Sequence, residues 1–252
     1  MLRCAVLALL ALVSLPGAAH ARCKPSGLTA WPPAGEVGIS PLIAVTGYAM
    51  DAMVAKEHAA RVRLLDAQSG QRVPLVEWTA QSAGYRTHQV LLKPDRPLKL
   101  GHRYRLEVKA GKTWQGGKVT ADRPFAPARG PDGVPIEWRV RDWPQAAPAW
   151  RQRPVDGPIE TQQFGCGPAV QARVPVAVAG SAAFLVQLEG EADAHQALVV
   201  PQEGTLILGH GMCAGPFTMA ESRYAAVLVP VDAAGQEGQA QTVYLTAGAA
   251  AP

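Results

Sequence analysis

The sequence predicts an all-β protein of two tandem antiparallel β-sandwich domains behind an export signal, and three observations carry that prediction. The 252 residues include 25 Gly and 22 Pro with no Gly period, so these residues punctuate short elements and do not build a collagen-like repeat. Apolar and polar residues alternate strictly from His102 to Lys109, which puts Tyr104, Leu106 and Val108 on one face of a half-buried strand. Short apolar runs recur through both halves with turn residues between them, the spacing of sandwich strands. A hydrophobic share of 48% excludes wholesale disorder, and the length suits two domains large enough to bury cores. The chain has no Asn, which excludes Asn-linked glycosylation and Asn-Gly hairpins and leaves Gly, Asp, Ser and Gln to turn the corners.

The N-terminus comes first. Arg3 gives a positive start, Cys4 to Leu15 is an apolar run, Pro16-Gly17 breaks it, and Ala19-His20-Ala21 is a small-x-small cleavage signal. Residues 1–21 are expected to be a signal peptide; the run is too short for the roughly 20 residues a membrane anchor needs. Cys23 follows Arg22, not the small residue that lipidation requires. No later stretch is apolar enough to span a bilayer, so the expected location is periplasmic, cell-surface or secreted, where cysteines meet oxidising conditions.

A net charge of +4 conceals an asymmetry. Residues 22–130 carry 17 basic and 8 acidic residues, whereas residues 131–252 carry 6 and 12. The shift falls at the Pro/Gly-rich stretch Ala126 to Gly133, giving an expected basic domain over 22–126, a linker over 127–133 and an acidic domain over 134–252. Two readings follow. The basic face serves anionic envelope polymers or lipid headgroups, or the two domains attract each other or are simply solvated. The bland one is preferred, because no run of adjacent Lys or Arg exists.

In the first domain, strands are expected at Leu42 to Thr46, Arg61 to Leu65, Val73 to Trp78, Tyr85 to Leu92 and His102 to Lys109, with a turn at Gln68-Ser69-Gly70-Gln71. Ala49 to Ala60 allows one or two helical turns or an extended loop packed by Met50 and Met53. Pro32-Pro33-Ala34-Gly35-Glu36-Val37-Gly38-Ile39 followed by a strand resembles the opening of S-layer-type bacterial Ig-like domains. Leu100 to Val108 is similar to their penultimate strand, with Gly101 turning the corner and Tyr104 at the tyrosine-corner position. The resemblance implies an Ig-like fold and no common active site.

In the second domain, strands are expected at Val134 to Val140, Gln171 to Val178, Ala183 to Leu188, Ala197 to Val200, Thr205 to Leu208, Tyr224 to Val231 and Thr242 to Thr246. The stretch from Tyr224 through Asp232-Ala233-Ala234-Gly235 to Thr246 resembles the last hairpin of Ig-like or fibronectin type III modules, with Asp-x-x-Gly as its turn. Pro175 and Pro230 lack an N–H, so their strands are expected to be edges or bulged there. Cys166 and Cys213 sit in similar Gly-rich settings and are expected to form a disulfide, leaving Cys23 over. Taken together, the halves resemble secreted bacterial proteins built from paired Ig-like modules.

Chemistry is sparse. His210, Cys213, Cys166 and His195 are possible metal ligands, but the spacing is not that of a zinc site and the compartment favours the disulfide, so no metal and no cofactor is expected. No nucleophile elbow, zincin motif, phosphate loop or dinucleotide fingerprint occurs. Glu189, Glu191 and Asp193 cluster in a turn and read as solvated surface. From Trp138 to Arg153, Trp138, Trp143 and Trp150 interleave with Arg139, Arg141, Arg151 and Arg153. Trp138 alternates with Val140 and reads as core; Trp143 and Trp150 are candidate ligand contacts, with packing the preferred role. An exported chain with an acidic half is a poor nucleic-acid binder. The expected function is therefore a non-enzymatic structural or interaction component of a bacterial envelope, its partner a protein or an envelope polymer. The alternative is a carbohydrate-binding module using Trp143 and Trp150.

Overall fold

The computed structural model describes residues 28–48, 61–79, 84–85, 87–109, 114–115, 118–119, 124–130, 133–143, 145–165, 167–180, 182–190 and 194–248. Ala49 to Ala60, Cys23, Cys166 and the expected signal peptide lie outside the described residues. The first strands are β1 (Leu28–Trp31), β2 (Gly35–Val37), β3 (Ile43–Tyr48), β4 (Val62–Asp66), β5 (Arg72–Val73), β6 (Leu75–Thr79), β7 (Thr87–Pro94) and β8 (Arg103–Lys109). Short strands follow: β9 (Trp114–Gln115), β10 (Lys118–Val119), β11 (Phe125–Pro127), β12 (Glu137–Val140) and β13 (Ala149–Gln152). The remainder are β14 (Gly157–Phe164), β15 (Gly167–Pro175), β16 (Ala177–Ala179), β17 (Ala183–Glu189), β18 (Ala194–Val199), β19 (Thr205–His210), β20 (Arg223–Val231) and β21 (Gln241–Ala247). The protein is all-β, and no α-helix occurs among the described residues.

Two sheets make the first sandwich. One runs β1-β3-β7-β6; the other runs β2-β12-β8-β4-β5, with β11 also on β8. Ile43, Val45, Val90 and Leu92 from the first pack against Val62, Leu64, Tyr104, Leu106 and Trp138 from the second. The alternation read in β8 is present as buried Tyr104, Leu106 and Val108 between more exposed neighbours. Tyr104 fills the corner position: its hydroxyl accepts the Lys99 N–H at 3.0 Å. The Pro32-to-Ile39 motif carries the chain from one sheet to the other, β1 pairing β3 and β2 pairing β12 in parallel.

One placement differs from expectation. Glu137–Val140 is not a strand of the second sandwich; it lies between β2 and β8, with Trp138 opposite Tyr104. The Trp138 indole N–H donates to the Pro32 and Pro33 carbonyls, which fixes the ring in the first core. The stretch expected as a linker is accordingly a turn inside the first sandwich: Ala128 N–H bonds Leu106 O, and Ile136 N–H bonds Ala128 O. Alternation in β12 revealed a half-buried strand, but alternation cannot say which sheet receives it. The run Val73 to Trp78 is also divided, because Pro74 has no N–H for a ladder and separates β5 from β6.

The second sandwich curls one hydrogen-bonded sheet, β18-β17-β20-β21-β14-β15-β19, around Phe184, Val186, Leu206, Leu208, Tyr224 and Leu228. β14 makes the corner by changing neighbours: Gly157 to Ile159 run parallel to β21, and Ile159 to Phe164 pair with β15. The Asp232-to-Gly235 turn forms as expected, with Gly235 at φ 81 and Asp232 Oδ1 accepting the Ala234 and Gln236 N–H groups at 2.9 Å each. Tyr224 makes a second tyrosine corner, its hydroxyl accepting the Ala220 and Glu221 N–H groups at 2.9 Å.

A third apolar layer joins the sandwiches. Leu42, Ala44 and Leu91 from β3, β7 and their approach pack on Ala183, Leu185, Leu198 and Val231 from β17, β18 and β20. Strand alternation explains this: on β7, Val90 and Leu92 face the first core while Leu91 faces the seam, and on β17, Phe184 and Val186 face the second core while Leu185 faces the seam. Burying each seam leucine contributes about 2 kcal/mol at most. The sandwiches approach closely at Gly38, where a Cβ would sit 2.5 Å from the Ala234 Cβ, and at Gly235, where one would meet Ser40 O.

Candidate functional site

Beside this seam the two sandwiches leave an open groove of about 780 Å³. Its floor is the outer face of the β1-β3-β7 sheet, and its opposite wall comes from β18, β19 and the Ala214-Gly215-Pro216 segment. Cross-strand register places Thr29, Thr46 and Gln89 in one polar row and Trp31, Ala44 and Leu91 in the next. The apolar row continues into the seam, and the polar row lines the groove. Among the described residues, no side chain lining the groove is charged at neutral pH.

Gln89 organises this wall. Its Nε2 donates to Leu198 O and to Thr46 Oγ1, both at 2.9 Å, and its Oε1 accepts the Leu198 N–H at 2.6 Å. The amide thus pairs with the outer edge of β18 as a neighbouring strand would, which caps that edge and locks the sandwiches together. The Gly215 N–H bonds Tyr85 O at 3.0 Å, while the Tyr85 and His210 rings stack at 4.0 Å. β1, at the sheet edge, flanks the groove with no strand on its outer side among the described residues.

The residues singled out from the sequence are dispersed. Trp143 donates its indole N–H to Asp232 Oδ2 at 2.9 Å, and Trp150 donates to Gln239 O at 2.7 Å while its ring lies 5.5 Å from that of Phe184. Both are half-buried, and both brace the turn between β20 and β21. His210 is buried, with Nδ1 2.9 Å from Gly211 O; His195 sits on β18 opposite Leu188. Cys213 follows β19, and Cys166 and the carboxylates Glu191 and Asp193 lie outside the described residues. Gln89 was missed from the sequence; the signal available was a polar residue preceding the apolar run Val90-Leu91-Leu92.

No family model matches the chain, and no curated protein matches it. Among solved structures, it is similar to a chimeric titin Z1Z2 carrying an exogenous decorin peptide, at 12% identity, over 90% of this chain and 99% of that one, with a TM-score of 0.26. It is also similar to the N-terminal part of the bacterial S-layer protein SbsC, at 10% identity over 87% of this chain and 44% of that one, with a TM-score of 0.30. The fibronectin(III)-like modules of Clostridium thermocellum CbhA give 11% identity, 87% and 93% coverage and a TM-score of 0.24. Likenesses this distant carry no functional argument, and the sandwich architecture rests on the strand pairing itself.

Proposed function

We propose that the chain is an exported, non-enzymatic interaction component of a bacterial envelope, cleaved after Ala21, whose two sandwiches divide after Val140 and act as one rigid unit. The observation that carries this reading is the seam: a shared apolar layer plus the Gln89 amide paired to Leu198 sets the groove walls in fixed register. A neutral groove flanked by the open edge of β1 suits an extended, uncharged segment of a partner protein, bound by strand addition with main-chain hydrogen bonds. The reading includes a Cys166–Cys213 disulfide. That pairing is supported by the similar Gly-rich settings of the two cysteines and by Cys213 following β19, which pairs with β15, the strand that begins at Gly167. Closing that loop of about 47 residues stabilises the fold by roughly 4 kcal/mol at most.

The experiment places a photo-crosslinking residue at Thr29, on the β1 edge, in the full chain expressed in its own cell. Recovery of one envelope protein cross-linked at Thr29, and not at the exposed β21 position Tyr244, is expected. Recovery of the uncross-linked protein alone from culture medium would overturn the reading.

A further inference from the structure

The face of the β2-β12-β8-β4-β5 sheet that points away from the second sandwich carries a band of arginines. Arg139 on β12 stands directly opposite Arg103 on β8, and Arg105 stands one pleat further along, in the row that continues through Leu65 to Arg72 on β5. Arg72, Arg103 and Arg139 are exposed, and none makes an ion pair among the described residues. Three carboxylates share this face: Glu107 holds Arg105 at 3.2 Å, Glu36 lies opposite Arg139 and holds Arg141 at 2.8 Å, and Glu137 lies opposite Arg105. Like charges directly opposite one another across antiparallel strands destabilise a sheet, so the Arg103–Arg139 pair is a cost that packing does not explain.

The acidic half does not balance this band. The two sandwiches meet through the other sheet, and among the described residues their contact is an apolar layer with the Gln89 and Gly215 hydrogen bonds and an ion pair from Lys93 to Glu237 at 3.8 Å. Of the two plainer origins of the charge asymmetry, mutual attraction does not account for this band, and a solvated face is the reading that a docking surface competes with. Neighbouring strands place guanidiniums about 5 Å apart across the sheet and about 7 Å apart along a strand, near the repeat of oxyanions on a chain polymer. Guanidinium forks suit such oxyanions. A chain laid obliquely from Arg139 through Arg103 and Arg105 to Arg72 follows the arginines, with Glu137 and Glu107 to one side of it and Glu36 beyond its end. A flat bilayer would press on both signs of charge. We propose that this face is the docking surface for a linear, phosphate-bearing anionic polymer.

The test titrates the full-length mature protein with inorganic polyphosphate of defined length and, separately, with vesicles containing anionic phospholipid, at several salt concentrations. Arg103→Gln with Arg139→Gln is expected to weaken polyphosphate binding roughly tenfold at about 0.1 M salt and to lower the salt slope by about 1.4 for two lost contacts. The charge-matched control Arg173→Gln with Arg223→Gln, on the second sandwich, is expected to leave both unchanged. Removing the opposed arginines should leave the melting temperature equal or higher, which separates lost binding from lost folding. Equal weakening by the control pair, absence of polyphosphate binding by the wild type, or tighter binding to vesicles than to polyphosphate would each overturn the proposal.

Discussion

Tyr104 and Tyr224 perform the same task in the two sandwiches, each holding a loop to its sheet with a buried hydroxyl, but they carry different loads. Tyr224 accepts two backbone N–H groups and Tyr104 accepts one. Tyr224→Phe leaves two donors unpaired and should cost about 2–3 kcal/mol, against about 1–1.5 kcal/mol for Tyr104→Phe. Denaturant unfolding of both variants checks this, and equal losses would show that the corners are held by packing alone. Asp66 is the residue where pH enters. Burial raises its pKa, but the hydrogen bond from His102 at 2.8 Å and those from the Gln68 and Ser69 N–H groups outweigh burial, and the net value lies below the usual 3.8. A lowered folded pKa means the stabilisation is complete above the unfolded value and disappears as pH falls through the folded one. Stability of the wild type should therefore fall more steeply below about pH 4 than that of Asp66→Asn. Parallel curves in acid would remove Asp66 from the account.

At the level of elements, some features were legible in the sequence because they are local. Alternation located β8, Asp-x-x-Gly located the β20–β21 turn, and proline chemistry placed Pro175 and Pro230 where each strand has a neighbour on one side. Pro175 pairs with Thr205 of β19 beyond the end of β14, and Pro230 pairs with Phe184 of β17 before β21 begins. Other features were illegible because they depend on distant partners. β14 is largely exposed and has no apolar pattern, so only its pairing with β15 and β21 defines it. Trp143 and Trp150 advertised a ligand platform, yet each spends its indole N–H on the β20–β21 region. Trp150→Phe keeps most of the ring contact and loses the bond to Gln239 O, so it should cost about 1 kcal/mol and leave any glycan affinity unchanged. A loss of glycan binding without a loss of stability, measured by calorimetric titration, would restore the carbohydrate reading.

For the whole molecule, the decisive fact is that apolar layers alternate with sheets through three successive interfaces, and the middle one belongs to neither sandwich. The clue was in the sequence: Val90-Leu91-Leu92 and Ala183-Phe184-Leu185-Val186 do not alternate, which is how a strand covered on both faces reads. Domain motion is the default where interfaces are small and polar; a buried apolar seam with a satisfied amide bridge argues for coupled unfolding. The wild type should then melt in one transition, with calorimetric and van't Hoff enthalpies equal. Gly38→Ala tests the coupling with little change to either core, since the new Cβ would sit 2.5 Å from the Ala234 Cβ and must push the sandwiches apart. Leu91→Ala acts on the same layer by leaving a cavity, at a cost of about 2–4 kcal/mol. Both variants should separate the melt into two transitions or drop the van't Hoff enthalpy below the calorimetric one. Because the groove exists only while the seam fixes its walls, both should also lose cross-linking at Thr29 while keeping polyphosphate binding on the opposite sheet. A single undisturbed transition in Gly38→Ala would mean the sandwiches fold independently and that the groove is not a fixed site.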